Sequence, residues 1–334
     1  MREERQENFI EIFYNEDFSI FKDPRYRQYR KEWIEFPKKR YVGEYPANLD
    51  VFITNRCNLK CIMCRRTIAN ENKERKFDSN LDMDYALFQK LIDETGDKVP
   101  ALHITSFGEP LIHPRLCDMI KYARDKGMID VFFNTNAVFL KGDLAENLIR
   151  SGLTRLLISF DSPVKETYER IRRGAKFEKV YNNILEFMEL RKKMNSTYPI
   201  VRVQMVEMAQ NTKETDLFKE MFKDVVDVIG FSEHVTYDTD VEDDRNLEKK
   251  EENYDFVDEQ LWQRISVDVD GTVYACLAIR DDMVLGNLAD KKLKELWQGE
   301  RMTFFRKKHI HKKCREIEGC SKCGRRFKHS ERYQ

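Results

Sequence analysis

The sequence predicts an α/β fold built on a mostly parallel sheet, followed by a small C-terminal unit of a β-hairpin and helices. Between residues 48 and 232, runs rich in β-branched and aromatic residues alternate with stretches of helical periodicity. Strands separated by helices are typical of parallel sheets with right-handed crossovers. Further along, apolar and polar residues alternate on both sides of Asp270-Gly271, which is a strong hairpin signal.

The chain has 334 residues, enough for one large domain and a smaller one. We predict a helical N-terminal extension over 1–46, because this segment is rich in aromatic and charged residues. The large domain is predicted to span 47–236 and the small domain 255–334. Between them we predict a solvated linker at 237–254, where Asp, Glu, Lys and Arg dominate.

The large domain is predicted to contain strands that alternate with helices. The strands are Leu49–Thr54, Ala101–Ser106, Ile129–Asn134, Arg155–Phe160, Ile200–Met208 and Val225–Phe231. The helices between them are Asp84–Glu94, Pro114–Lys126, Leu144–Ser151, Phe177–Met194 and Lys213–Lys223. In β/α barrels the chemistry lies at the C-terminal ends of the strands, so residues at these ends are the candidates for a functional site.

Charge and composition argue against some classes of function. Lys+Arg and Asp+Glu are both 59, so the formal net charge is zero and a strongly basic nucleic-acid-binding surface is not expected. No apolar run approaches a membrane span, and the sequence shows no signal peptide. We therefore expect a cytoplasmic protein without membrane or nucleic-acid partners, whose clustered cysteines bind metal instead of forming disulfides.

Three cysteines lie within eight residues just after the first predicted strand, at Cys57, Cys61 and Cys64. The loop that carries them is too short to close a packed core of its own. Three thiolates can converge on a soft metal centre, but a closed zinc or ordinary iron–sulfur site uses four ligands. The residues leave two alternatives: an iron–sulfur cube with one iron open to an outside ligand, or a zinc knuckle or buried structural cysteines.

The Cys-x-x-x-Cys-x-x-Cys spacing, with the large apolar Met63 before the last cysteine, resembles the radical SAM superfamily. The resemblance implies a partial (β/α)6 TIM-like barrel and a [4Fe-4S] cluster on Cys57, Cys61 and Cys64. In the family, S-adenosylmethionine (SAM) chelates the open iron beside the residue that Met63 represents. A reductant such as flavodoxin or ferredoxin would reduce the cluster, which cleaves SAM to a 5′-deoxyadenosyl radical that abstracts hydrogen from the substrate.

A short motif follows the second predicted strand. Residues 106–110, Ser-Phe-Gly-Glu-Pro, resemble the family's Gly-Gly-Glu-Pro motif, with Phe107 in place of the first glycine. A glycine lets the backbone approach a ligand closely, and a carboxylate can accept hydrogen bonds from an ammonium group. The resemblance implies that Gly108 and Glu109 hold the SAM amino group. The structural alternative is an ordinary turn.

The ends of the third and fourth strands supply further candidates. Asn136 lies in a segment similar to the family's Thr-Asn-Gly, with Ala137 in place of the glycine. The resemblance implies that Asn136 contacts SAM, whereas loop hydrogen bonding is the structural alternative. Ser159 ends the fourth strand close to Asp161, and in relatives this strand end supplies polar groups to the ribose or methionine part of SAM.

Two later positions complete the predicted SAM site. Relatives with auxiliary-cluster domains place an arginine against the SAM carboxylate, and Arg172 fits this position best, with Arg173 as the substitute. The alternative is a solvated charge at a helix end. Gln204 on the fifth strand could face the adenine or the substrate, or could simply fill the barrel mouth with a polar group.

Four more cysteines lie in the C-terminal unit: Cys276, Cys314, Cys320 and Cys323. The order of hairpin, Leu-Gly-Asn, helix with Trp297 and Cys-x-x-Cys resembles the SPASM/twitch domain, which holds auxiliary [4Fe-4S] clusters. The remaining Cys117 is predicted to be a buried, inert thiol of a core helix.

Four thiolates close one cluster and cannot fill two, so we predict one auxiliary [4Fe-4S] cluster in a twitch-like domain. Many relatives have a cysteine before the hairpin, whereas residues 259–262 supply none. Either Cys314 takes that place or the cluster keeps an open iron. A zinc site made of the four cysteines is the alternative.

The predicted function is that of a radical SAM enzyme, most simply an oxidoreductase. We expect it to oxidise a small sugar- or cyclitol-like molecule with the help of the auxiliary cluster. One alternative is a maturase that modifies a peptide or protein, although residues 1–46 are short for an added peptide-binding domain. Another is a non-catalytic metal-binding scaffold, which would not need SAM-binding strand ends. The sequence singles out neither the substrate nor a catalytic base.

Overall fold

The fold is organised around one large sheet. The structure is a computed structural model, and it describes residues 1–6, 9–71, 81–105, 107–235 and 251–327. Its strands are β1 (Arg2–Gln6), β2 (Phe9–Phe13), β3 (Asn48–Phe52), β4 (Ala101–Thr105), β5 (Asp130–Thr135), β6 (Arg155–Ser159), β7 (Ile200–Glu207), β8 (Val228–Glu233), β9 (Arg264–Val267), β10 (Thr272–Tyr274) and β11 (Val284–Asn287).

In the sequence, most of the helices are found between consecutive strands. The helices are α1 (Pro24–Lys39), α2 (Arg65–Glu71), α3 (Tyr85–Thr95), α4 (Leu116–Asp125), α5 (Gly142–Arg150), α6 (Lys165–Ile171), α7 (Phe177–Lys193), α8 (Thr215–Phe222), α9 (Leu293–Gln298), α10 (Glu300–Ile310) and α11 (Glu318–Ser321). The five helices predicted from periodicity correspond to α3, α4, α5, α7 and α8.

The strand order is β1-β2-β8-β7-β6-β5-β4-β3-β9-β10-β11. Strands β3 to β8 pair in parallel with one another, as expected for strands joined by helical crossovers. The sheet is open, because β1 and β11 form its two ends. The predicted α/β class with a partial barrel is therefore confirmed, and the six predicted strands correspond to β3 to β8.

The N-terminal segment differs from its prediction. A helical extension over 1–46 is right for α1 but wrong for the first strands, because β1 and β2 form a hairpin that adds antiparallel to β8. Ile10 and Ile12 alternate with half-buried neighbours along β2 and enter the core. A two-residue period of this kind suits a strand with one buried face, and not a helix.

The predicted C-terminal hairpin is present, and Gly271 adopts a φ of +82° at its turn. Strand β9 also pairs in parallel with β3, from Asn48 opposite Arg264 to Val51 opposite Val267. The large and small units therefore share one continuous sheet, which the sequence did not indicate. The predicted linker at 237–254 lies mostly outside the described residues, so the domain boundaries stay predictions.

The two faces of the parallel strands differ in polarity. On β7, Val201, Val203 and Met205 are fully buried, whereas Arg202 and Gln204 on the opposite face are half-buried. The inner face of the partial barrel is thus lined by polar side chains, and the outer face packs against the helices. No helix in the described ranges has the length and apolar character needed to cross a bilayer.

Candidate metal centres

The first cysteine loop follows β3 and is fastened to the end of α6. The Lys60 amide donates to the Arg173 carbonyl at 2.9 Å, and the Ile62 amide donates to the Ile171 carbonyl at 3.0 Å. Gly174, with a φ of +101°, allows this approach, since a Cβ there would lie 3.3 Å from Leu59 Cδ2. Because β3 is a central parallel strand, the loop lies at the carboxyl edge of the sheet, as predicted for a barrel site.

The three thiols of this loop lie within electrostatic reach of one another. Cys61 is buried, and Cys57 and Cys64 are half-buried. The pKa of Cys57 is raised to about 12, chiefly by burial and in smaller part by the charges of Glu109, Cys61 and Cys64. Burial also raises the pKa of Cys61, so without metal the thiols of Cys57 and Cys61 are neutral, whereas a cluster would require them as thiolates and would release their protons on binding.

Glu109 lies in the turn after β4, and its hydrogen bonds connect the end of β4 to the end of β5. Its carboxylate accepts hydrogen bonds from the Thr135 hydroxyl at 2.6 Å, the Asn136 amide at 2.7 Å and the Leu111 amide at 3.1 Å. Burial raises the pKa of Glu109, and these donors lower it. The predicted contact with the SAM amino group would use the remaining lone pairs of the carboxylate.

Asn136 connects the end of β5 to the cysteine loop. Its side-chain amide donates to Asn58 Oδ1 at 2.9 Å, and its own oxygen accepts from the Val138 amide at 3.0 Å. Ala137, which stands where the family has glycine, adopts a φ of +55°. The loop hydrogen bonding that was the alternative role of Asn136 is therefore present, and the SAM contact stays a prediction.

Arg172 forms a contact with the cysteine loop that the sequence did not reveal. Its Nε and Nη2 atoms each lie 2.5 Å from Asp161 Oδ2, and Asp161 is fully buried. The third nitrogen, Nη1, lies 3.6 Å from the Cys61 sulfur. The arginine is thus held beside a predicted cluster ligand by a buried carboxylate, while its predicted role at the SAM carboxylate remains untested.

Asp161 is itself fixed by several bonds. Its other carboxylate oxygen accepts from the Val206 amide at 2.8 Å, and its carbonyl accepts from Asn211 Nδ2 at 2.7 Å. These bonds hold Asp161 in the left-handed region, with a φ of +61°. A signal did exist in the sequence, since Asp161 directly follows the fourth strand and Asn211 the fifth.

The other predicted SAM contacts are spread over the same end of the barrel. Ser159 lies opposite Gln204 in the register of β6 and β7, and Gln204 Oε1 accepts from Arg202 Nη2 at 2.6 Å. Met63 is half-buried and packs against the core. Gly108 immediately precedes Glu109 in the turn after β4. Their roles toward SAM stay predictions.

The four C-terminal cysteines also form one group. Burial raises the pKa of Cys320, and the charges of Cys276, Asp258, Cys323 and Cys314 raise it further. Cys276 follows β10, and Cys320 lies on α11, so the hairpin and the last helices bring the thiols together. Mutual reach of four soft ligands fits one auxiliary cluster, as the count of cysteines predicted.

Two residues that the sequence did not single out border this group. The Asp258 amide donates to His309 Nδ1 at 3.1 Å, which leaves the ring proton on Nε2, 3.5 Å from the Cys320 sulfur. Burial lowers the pKa of His309, so the ring is neutral and donates to the sulfur. One histidine on α10 makes no recognisable pattern in the sequence.

Among the described residues, no group of three or more His, Cys, Asp or Glu side chains is placed to hold one metal ion. Zinc draws its thiolates to about 2.3 Å from one point, whereas the irons of a cube occupy separate corners. Sets of three and four thiols, buried or half-buried, suit such cubes as donors. Cys117 lies apart on α4 and is half-buried, not fully buried as predicted.

Comparisons with known proteins match both halves of the chain. A sequence model of the radical SAM superfamily matches residues 51–215, and a model of the SPASM iron–sulfur cluster-binding domain matches residues 259–324. The match is to SPASM, so the narrower twitch assignment stays a prediction from the cysteine count.

Two curated relatives are GTP 3′,8-cyclases. A probable one from Methanocaldococcus jannaschii is 27% identical over 59% of this chain and 62% of its own length, so the chain spans less than two thirds of it. One from Clostridium botulinum (strain Langeland) is 26% identical over 82% of this chain and 94% of its own length. These identities describe similarity and do not assign the substrate.

Solved structures share the fold. The structure of BtrN in complex with AdoMet and 2-DOIA is 17% identical with a TM-score of 0.52, and covers 83% of this chain and 92% of that one. Native anSMEcpe with bound AdoMet is 18% identical with a TM-score of 0.61, and covers 83% and 88%. The chain therefore belongs to the radical SAM superfamily and carries a C-terminal SPASM cluster-binding domain, a combination that implies SAM and [4Fe-4S] clusters as cofactors.

Proposed function

We propose that this enzyme oxidises a hydroxylated small molecule, sugar- or cyclitol-like, by radical hydrogen abstraction. The observation that carries the proposal is the meeting of Cys57, Cys61 and Cys64 with Glu109 and Arg172 at the carboxyl edge of the sheet. When bound, SAM and its cluster supply a 5′-deoxyadenosyl radical, and the auxiliary cluster supplies a one-electron acceptor.

The protein's own groups would hold and orient these partners. The three thiols would bind the first cluster, and Glu109 and Asn136 would fix the strand ends around SAM. On the inner face, His103 lies with Nδ1 2.9 Å from Asp50 Oδ1 and Nε2 2.9 Å from Asn134 Oδ1. A fixed polar lining of this kind can orient the hydroxyl groups of a small substrate by hydrogen bonds.

The relatives include proteins of both substrate kinds, since SuiB and anSMEcpe were solved with bound peptides, and the following ones support a small molecule. BtrN was solved in complex with 2-DOIA, and the related cyclases are named for GTP. Modification of a peptide is the second candidate, but the N-terminal segment that could serve it is committed to β1, β2 and α1. A cytoplasmic location and reduction by a flavodoxin or ferredoxin belong to the same proposal.

The radical chemistry can be tested on anaerobically reconstituted protein. We expect about eight iron atoms per chain, four for each cube, and formation of 5′-deoxyadenosine from SAM with dithionite. Replacing Cys57, Cys61 and Cys64 by Ala should abolish 5′-deoxyadenosine formation. The matched control is Cys117→Ala on α4, which should keep it. Persistent turnover in the triple variant would refute the assignment.

The substrate class can be tested with deuterium. A carbinol-deuterated sugar or cyclitol substrate should transfer one deuterium to 5′-deoxyadenosine and emerge as the ketone. Peptides and GTP serve as the competing arms of the same assay. Transfer from a peptide or from GTP, with none from any cyclitol or sugar, would replace the proposed substrate class while leaving the radical assignment intact.

A further inference from the structure

A large cavity lies at the end of the barrel opposite the cysteine loop. Its volume is about 860 Å³, within the range of about 300–1,000 Å³ typical of small-molecule pockets. It is lined by α1, the N-terminal hairpin, the first residues of β6 to β9, and Arg325. Because parallel strands start there and end at the cysteines, this cavity lies at the other end of the barrel from the cysteine loop, and Arg202 and Arg264 connect it to the polar lining through Gln204 and Asp50.

The lining of the cavity is strongly basic. Nine described side chains that line it are Arg or Lys, and three are Glu. Arg27, Arg30 and Lys38, all on α1, have no carboxylate within ion-pair distance among the described residues. Clustered cations with low-dielectric walls focus a positive potential into the cavity and favour an anionic ligand.

Three arginines lie on the inner face of the sheet, on strands β6, β7 and β9. Each forms an ion pair with one carboxylate. Arg155 pairs with Asp130, with Nη2 to Oδ2 at 2.5 Å. Arg202 pairs with Glu11 at 2.7 Å, and Arg264 pairs with Asp50 at 3.3 Å. The carboxylates hold the guanidinium groups in place, as positioned groups rather than mobile surface charges.

Two of these arginines retain unused donors. The Nε atoms of Arg202 and Arg264 are buried and have no hydrogen-bond partner. An unsatisfied buried N–H costs free energy, which a shift of the side chain toward a ligand oxygen in the cavity would recover. Burial lowers the pKa of Arg202, which means that Glu11 and its other partners compensate its desolvation incompletely.

The side chain of Arg202 is accommodated by a specific glycine. A Cβ at Gly230 on β8 would lie 2.9 Å from Phe9 Cζ and 3.2 Å from Arg202 Cδ. The absence of a side chain there lets the arginine lie under the Phe9 ring, with Cζ 4.5 Å from the ring centre. Gly230 and Phe9 thus define the position of the Arg202 side chain sterically.

Arg30 completes the cavity from the helical side. It lies with its Cζ 5.5 Å from the Tyr29 ring centre and 5.7 Å from that of Trp33. Aromatic stacking leaves the edge of a guanidinium able to donate, and the planar fork matches phosphate geometry. Tyr26 and Trp33 add apolar walls beside the charges, as suits a ligand that also has a ring.

We propose that this cavity binds a phosphate-bearing small molecule of nucleotide or sugar-phosphate size, with Arg30, Arg202 and Arg264 as its phosphate ligands. The proposal goes beyond the radical chemistry, because binding here needs neither the clusters nor SAM. Nucleotides and sugar phosphates share the same anionic group, so binding of each is measured separately.

The test is calorimetric titration of the full-length reconstituted protein, without SAM, with pyrophosphate, GTP, glucose 6-phosphate and neutral myo-inositol. We expect binding of at least one phosphate compound, no binding of myo-inositol, and an affinity that falls as salt rises. Arg30→Gln and the double variant Glu11→Gln/Arg202→Gln should each weaken binding at least about tenfold.

The matched control is Arg150→Gln, an exposed arginine on α5 that pairs with Glu146 outside the cavity. It should bind as the wild type does. Arg30→Gln removes no ion pair, so it tests the site even if the double variant is unstable in melting curves. Absence of phosphate binding by the wild type, or equal affinities in Arg30→Gln and Arg150→Gln, would overturn the site. Either result leaves the 5′-deoxyadenosine assay unaffected.

Discussion

At the first cysteine loop an arginine lies against a thiol, whereas at the C-terminal set a neutral histidine does. Arg172 Nη1 lies 3.6 Å from the Cys61 sulfur, with Asp161 as its buried counter-charge. Around the C-terminal cysteines, burial raises the pKa of Cys276 and of Cys323, the charge of Asp258 raises it further, and that of Arg325 lowers it. Charge and hydrogen bonds near the sulfurs set cluster potentials, so the two surroundings indicate two clusters tuned separately.

The sets also differ in ligand number. The first offers three thiols in a loop, which leaves one corner of a cube for SAM. The second draws four thiols from the hairpin and the last helices, which would close a cube, with a neutral histidine as the hydrogen-bond donor. The difference teaches that one chain can offer an open and a closed cluster site through the number of its thiol donors.

The largest expected effect comes from removing the closed set. Replacing Cys276, Cys314, Cys320 and Cys323 by Ala should lower the iron content from about eight to about four atoms per chain. SAM cleavage should persist, because the first loop keeps its ligands, while product oxidation is lost. Iron analysis and 5′-deoxyadenosine formation measure the two outcomes. Loss of all iron would show that the two sites are not independent.

The next effect concerns the buried pair beside Cys61. Arg172→Gln leaves the Asp161 carboxylate buried without its partner, and we expect a loss of about 3–5 kcal/mol in the free energy of unfolding. The double variant Asp161→Asn/Arg172→Gln should recover part of this loss. Urea unfolding measures both.

The neighbouring Arg173 supplies the matched control for this pair. Arg173 pairs with Glu71 at 2.9 Å, where both side chains are about half exposed (45% and 57%). Arg173→Gln should therefore cost no more than about 1 kcal/mol. Equal losses in the two single variants would show that the buried Arg172–Asp161 pair contributes no more to the free energy of unfolding than the exposed pair does.

A pH effect follows from the buried thiols. Burial raises the pKa of Cys57 and that of Cys276 to about 12, whereas in the unfolded chain thiols ionise near 9. The folded, iron-free protein therefore favours the protonated thiols, and this stabilisation is complete below pH 9 and lost as the pH rises toward 12. Each thiol should contribute about 1.4 kcal/mol per pH unit in that window.

Urea unfolding of the iron-free protein at pH 8, 9 and 10 measures this effect. The double variant Cys57→Ala/Cys276→Ala should show a shallower fall in stability. The iron-loaded protein should not show it, because its ligands are already thiolates. Identical slopes for the wild type and the double variant would contradict the assigned burial of the thiols.

The smallest effect concerns His309. A donor to a cluster sulfur stabilises the more negative, reduced form, so His309→Leu should lower the auxiliary cluster's potential by about 20–60 mV. Redox titration followed by electron paramagnetic resonance measures it. The potential of the first cluster is the internal control and should not move. A shift of both clusters together would point to a change in the fold.

Local patterns in the sequence predicted the parallel strands, five helices, the Asp270-Gly271 hairpin and both cysteine sets, because periodicity and spacing are local properties. The hairpin of β1 and β2 was missed, because its alternating pattern is short and rich in aromatic residues. Its identity as a strand pair depends on pairing with β8, which is distant in the sequence. The pairing of β9 with β3 joins residues about two hundred apart, and no local pattern records it.

The contacts around the cysteines were missed for a related reason. Arg172 was correctly singled out, but its partners, Asp161 and the Cys61 sulfur, depend on how α6 packs against the loop. Likewise, His309 becomes a neighbour of Cys320 only when α10 and α11 meet. The arginine-lined cavity forms only where strands β6 to β9 lie together in the folded sheet. Contacts of this kind depend on tertiary structure and cannot be predicted from the spacing of residues along the chain.

The measurement that tests the central claim most directly is the paramagnetic resonance spectrum of the protein with all four C-terminal cysteines replaced by Ala. Reduced anaerobically, it should show a single [4Fe-4S] signal from the loop of Cys57, Cys61 and Cys64, and that signal should change when SAM is added. A signal that SAM leaves unchanged, or a first loop that binds no iron, would contradict the account.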